Sequence, residues 1–154
     1  MGIEPQFTRA DVEKRFGAFL DEIEKQQIRR LQKLGEMCVT HARSVPAERG
    51  FNDQTGNLRS SIGYMVFLNG VAVHSAFEQV KSGSVGVKAG EALAQKVGQD
   101  HPQGVCLVVT AGMDYALYVE SKGKDVITSA EHLAERELPR MLEKLIDNIK
   151  RAAE

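Results

Sequence analysis

The chain has 154 residues, 42% hydrophobic and 27% charged, and its 20 basic and 21 acidic side chains leave a net charge of -1. Such a composition supplies a core for one domain and excludes a chain disordered over most of its length. The near balance of charge gives no global pull toward nucleic acid or anionic membrane, so direct nucleic-acid binding is not expected.

Residues 1–8 show no basic region followed by an apolar run, so no signal peptide is expected. No stretch approaches the ~18 apolar residues of a membrane span, and a membrane is not an expected partner. The two cysteines, Cys38 and Cys106, lack CxxC spacing, which points away from a disulfide framework or a zinc site and toward a reducing compartment. The absence of Trp argues against an aromatic stacking surface.

Thr8 reads as the N-cap of a long helix over about 9–44, with Asp11 placed to complement the helix dipole. Val12, Phe16, Phe19, Leu20, Ile23, Leu31, Leu34, Cys38 and Ala42 recur at gaps of three and four, with an interruption at Gln26 and Gln27. Nothing breaks the helix firmly before Pro46, although Gly35 is a point where it could bend. A polar loop follows, and Thr55, Gly56 and Asn57 favour a tight turn ahead of a strand starting at Ile62.

Asn69-Gly70 between two apolar runs predicts a β-hairpin over about 62–77, because a type I′ turn needs positive φ at both central positions. That turn predicts the pairs Leu68 with Val71, Val66 with Val73, Tyr64 with Ser75 and Ile62 with Phe77 on one face. The other face carries Met65 with His74, Phe67 with Ala72 and Gly63 with Ala76. It is less polar than a solvated face should be, which makes Met65, Phe67 and His74 candidate interface residues. A third strand over about 105–111 is apolar on both sides.

Between them, the glycine-rich stretch over about 79–104 reads as a mobile insertion, with a short helix from Ala89 to Val97 that could close the second sheet face. After a turn at Gly112-Met113-Asp114, Tyr115 to Glu120 is ambiguous between strand and helix. The last helix covers about 129–153, with Thr128 and Glu131 at capping-box spacing. Pro139 should kink it or divide it in two near Leu138. The expected fold is a single α+β domain, its N- and C-terminal helices packed on a small, mainly antiparallel sheet that contains the hairpin.

Four separated histidines and the lack of GxSxG, P-loop and GxGxxG patterns point to no catalytic, cofactor-binding or metal residues. One arrangement invites an enzymatic alternative: Asp114, Glu120 and Lys122 resemble the two carboxylates and lysine of a Mg²⁺-dependent nuclease. A second alternative is a regulatory nucleic-acid-binding module using Lys25, Arg29 and Lys33, although acidic neighbours interleave on that helix. The leading reading rests on surplus apolar surface. A helix of about 54 Å overhangs strands of about 23 Å, and the uncovered stripe suggests contact with further copies of the chain.

Two segments carry a family resemblance. Thr55, Gly56, Leu58, Ser61 and Ile62 match a T-G-x-L-x-x-S-I motif, and Tyr115, Ala116, Tyr118, Val119, Glu120 and Gly123 match Y-A-x-Y-V-E-x-G, with Lys122 adding one residue. The chain thus resembles the head–tail joining or tail-completion (neck) proteins of long-tailed bacteriophages, the gene-product-ten-like family, in the order of its elements across nearly its whole length. The chain departs from it at Asp125-Val126-Ile127-Thr128, where an aromatic-proline segment is usual. The resemblance implies a phage or prophage virion structural protein that forms a homo-oligomeric ring and meets other neck or tail proteins, in the host cytoplasm before assembly. Within it, Tyr115 and Tyr118 suit an interface, and an exposed Glu120 would pair with Arg59 of a neighbouring copy.

Overall fold

Helix α1 spans Arg9–Ser44, and its first turn is closed by a reciprocal cap. The Asp11 amide donates to the Thr8 hydroxyl at 3.2 Å, and the Thr8 amide donates to the Asp11 carboxylate at 2.9 Å. In this computed structural model the described residues are 2, 6, 8–46 and 49–153, so most of the stretch in which no signal peptide is expected lies outside them. The helix runs unbroken through Gly35. An added Cβ there would come within 2.5 Å of the Tyr64 ring, so this glycine makes room for an aromatic side chain.

A short helix, α2 (Asn57–Ser60), follows Gly56, which holds φ of 82°. Asp53 organises this turn: its carboxylate accepts from the amides of Gly56 at 3.0 Å and Arg59 at 2.8 Å. Strands β1 (Ile62–Leu68) and β2 (Val71–Phe77) then form the expected hairpin, with Asn69 and Gly70 both at positive φ. Strand β3 (Val105–Ala111) pairs antiparallel with the other side of β1, giving the order β2-β1-β3. The fold is therefore α+β, as the sequence predicts.

The hairpin register is corrected beyond its first pairs. Leu68 pairs with Val71 and Phe67 with Ala72, but Val66 then pairs with His74, leaving Val73 as the extra residue of a β-bulge. Every later residue of β2 consequently changes face. Phe77 pairs with Gly63 and packs on the Met65–Phe67 side, while His74 moves to the Tyr64 side. The bulge brings the Phe77 ring into the space left by two missing side chains, those of Gly63 and Gly90.

The segment expected to be a mobile insertion is instead largely helix α3, Ser84–Gln99, well beyond the predicted Ala89 to Val97. It packs on α2 and on all three strands. Gly86, Gly90, Ala94 and Gly98 recur at helical spacing and form its buried face. Their lack of bulk lets the helix backbone sit directly against the sheet. A Cβ at Gly98 would lie 2.2 Å from the Phe67 ring, and one at Gly86 would lie 2.0 Å from the Asn57 carbonyl oxygen.

Tyr115 to Glu120 resolves as helical: α4 spans Ala116–Ser121. The last helix, α5, covers Thr128–Ala153 and continues across Pro139 as one element. Thr128 is its first residue and not its cap, so the expected Thr128–Glu131 box gives way to acceptors from outside the helix. Glu120 accepts from the amides of Val126, Ile127 and Thr128, and Asp125 accepts from the Ser129 amide.

Helix α1 lies across β1 and β3 and beside α5. The main core is Leu34, Cys38, Val39 and Ala42 of α1 with Ile62, Tyr64 and Val66 of β1, joined by Phe51, Leu58, Ala116, Val126 and Ala130. A second, smaller core of Met65, Phe67, Ala94 and Val108 lies under α3.

Candidate functional site

Only the C-terminal half of α1 is buried by the sheet and α5. Its fully buried residues run from Leu34 to Ala42. Toward the N-terminus the apolar stripe is covered only in part: Phe19 and Ile23 are half-buried, whereas Val12, Phe16 and Leu20 are 49%, 62% and 49% exposed. The reason is length: 36 residues give a rod of about 54 Å over seven-residue strands of about 23 Å. Sequence periodicity found this stripe but could not say which of its turns the sheet reaches.

Helix α5 starts beside the buried part of α1, where the Cys38 thiol donates to the Ala130 carbonyl at 3.6 Å and His41 meets the Ser129 hydroxyl at 3.0 Å. It then runs back along α1, so that Leu138 and Met141 join Ile28 and Leu31 at the core margin. Helix α5 makes little contact with the sheet. An apolar groove of about 830 Å³ therefore opens between α1, β3 and α5, walled by Leu31, Leu34, Leu107, Val109, Leu138 and Met141. Leu142 and Ile146 stand exposed on α5 where the groove meets the overhang of α1. These two residues lie on the helical face of α5 next to its buried stripe.

The groove has charged ends. Arg30, His101 and Gln103 lie toward the start of β3, and Glu131 lies beside Ala130 at the start of α5. The direction of α1 fixes this placement, because Glu36 meets Tyr64 and Arg43 meets Glu78 as the helix runs toward the opposite end of the sheet.

A separate apolar prominence is formed at α4, where Tyr115 is 40%, Leu117 80% and Tyr118 63% exposed. Tyr115 and Tyr118 are thus at the surface, as an interface role requires, and Leu117 joins them although sequence reasoning singled out only its aromatic neighbours. The Lys122 ammonium sits 5.1 Å from the Tyr118 ring centroid.

Among the other predicted interface residues, Met65 and Phe67 are corrected, while His74 and Arg59 are half-buried. Met65 and Phe67 are buried under α3, so neither side chain reaches the surface. His74, moved across the sheet by the bulge, lies 2.9 Å from the Tyr64 hydroxyl, which itself donates to Glu36 at 2.7 Å. Burial and then the Glu36 hydrogen bond push the Tyr64 hydroxyl pKa far above the ordinary tyrosine range, so this group is a fixed donor and not an acid. Arg59 stacks its guanidinium 4.8 Å over the Phe51 ring.

Glu120 is an internal cap, not an exposed partner for Arg59. Burial pushes its carboxyl up, but hydrogen bonds from Ile127, Thr128 and Val126 together outweigh that and hold it below the usual range. The same bonds weaken the nuclease arrangement, since both Glu120 oxygens are already taken while Asp114 and Lys122 are exposed. Among the described residues no group of three His, Cys, Asp or Glu side chains is arranged to hold a metal ion. Burial raises the thiols of Cys38 and Cys106, which suits small apolar residues better than nucleophiles.

The two family-like motifs fold against one another. Ile62 pairs with Ala111, the Gly112 amide donates to the Ser61 carbonyl at 3.3 Å, and Leu58, Ile62 and Ala116 share one core. Among the described residues no helix is long and apolar enough to cross a membrane. No protein-family model, curated protein or solved structure matches the chain.

Proposed function

We propose that this chain is an assembly protein of a phage or prophage virion, acting in head–tail joining or tail completion by forming a ring with copies of itself. The observation that carries the assembly reading is the overhang of α1, whose Val12, Phe16 and Leu20 stand exposed on one face. A single domain gains nothing from holding that stripe in water, and a neighbouring subunit would cover it. The phage assignment rests on the two motifs, and the contact between them in the fold is what a shared structural unit would require. No catalytic step is part of this reading.

The test is light scattering coupled to size-exclusion chromatography over a protein concentration series, alone and with a portal or tail-tube protein. A discrete ring-sized species is expected, and Phe16→Glu with Leu20→Glu should return it to monomer with helicity unchanged. A chain that stays monomeric under every condition overturns the proposal.

A further inference from the structure

The geometry points to a specific contact for that assembly: residues 12–24 of α1 from one copy lie in the α1–β3–α5 groove of the next, running antiparallel to the α1 that receives them. This inference rests on the self-assembly reading and names the surface it uses.

Two unpartnered features of the same chain are of matching kind. The overhang presents Val12, Phe16 and Leu20 at four-residue spacing, the anchor pattern of a helix that docks into a groove. The groove offers about 830 Å³ of mostly aliphatic wall, open on the side that the sheet and α5 leave uncovered. Because stripe and groove are different surfaces, the contact is head-to-tail, and such contacts close into rings when the rotation per subunit permits.

Charge selects the occupant and its direction. At about 3.6 residues per turn, Arg15 and Glu24 flank the apolar stripe on opposite sides, about 14 Å apart along the helix. The groove carries Arg30 on its α1 wall and Glu131 on its α5 wall. Glu131 follows Ala130, which is level with Cys38, so the two charges are about 12 Å apart along α1. Antiparallel docking sets Glu24 over Arg30 and Arg15 over Glu131, whereas parallel docking sets like charges together. Among the described residues none of the four forms an ion pair within the chain.

The experiment uses the full chain and a charge exchange. Glu24→Arg and Arg30→Glu should each weaken self-association at least tenfold, read from the concentration dependence of the light-scattering mass, and the double variant should return to within about threefold of the parent. Circular dichroism confirms that the variants are folded. If the parent assembles and neither single substitution changes it, or the double variant fails to recover, the contact is elsewhere and this inference falls while the assembly reading stands. If the parent never assembles, both fall. Native mass spectrometry showing a small amphiphile retained by the purified chain would assign the groove to that ligand and also overturn the contact.

Discussion

Both oxygens of Glu120 end on Thr128: Oε1 accepts its amide at 3.0 Å and Oε2 accepts its hydroxyl at 3.0 Å. One carboxylate thus ties the end of α4 to the start of α5, also taking the amides of Val126 and Ile127. The Ile127 and Thr128 amides are among the donors that a helix start leaves without intrahelical partners, and a negative charge there is favoured by the helix dipole. Glu120→Ala should cost about 2 kcal/mol in chemical denaturation, by loss of the cap and exposure of its donors.

The sign of the pH effect follows from the lowered Glu120 pKa. A carboxylate whose folded value lies below its unfolded value, about 4.3, stabilises the fold fully above that pH. The contribution is lost as pH falls through the folded value. Denaturation midpoints measured from pH 7 down to pH 3 should fall more steeply for the parent than for Glu120→Gln.

Glycine-to-alanine substitutions should separate two kinds of glycine. At Gly17 a Cβ meets nothing within 4 Å, so alanine there should stabilise α1 by about 0.5–1 kcal/mol through helix propensity. At Gly90 the same atom would lie 2.5 Å from both the Ser61 carbonyl oxygen and the Phe77 ring, so alanine should destabilise by about 2 kcal/mol or more. Thermal melts of the two variants, one shifted up and the other down, check this directly.

Tyr64 is buried and donates to Glu36, with His74 on its other side. Tyr64→Phe keeps the ring against Gly35 and removes only the hydroxyl. The expected loss is about 1–2 kcal/mol. A spectrophotometric titration of the parent should show one tyrosine that fails to ionise before alkaline unfolding, and Tyr64→Phe should remove that delayed component.

Local chemistry made much of this fold legible. Thr8 with Asp11 fixed the start of α1, Asn69-Gly70 fixed the turn, and the apolar runs located all three strands. The misreadings have one cause: a residue was judged by its own preference where a neighbour decided. Gly86 and Gly98 fall outside the helix predicted over Ala89 to Val97, yet with Gly90 and Ala94 they recur every four residues as a helical face shaped to lie on the sheet. The bulge at Val73 leaves no mark in the hairpin pattern, because it depends on Phe77 filling space at Gly63 and Gly90. Glu120 looks free in the sequence because its donors lie six to eight residues on, where the chain turns into α5. Of the candidate site, Tyr115 and Tyr118 were legible as surface aromatics, whereas the groove depends on how little of the sheet α5 covers.

The close seating of α3 has a consequence for how this chain can change length. Its glycine face spans three turns, and each inserted or deleted residue rotates one end of that face by about 100° relative to the other. Bulk would then turn toward the strands, so α3 has little tolerance for changes in length. The overhanging part of α1 touches no strand, so its N-terminal end can gain or lose whole turns without disturbing the sheet beneath. A lineage of such proteins would therefore vary in the reach of its first helix while the helix on the opposite side of the sheet kept its length.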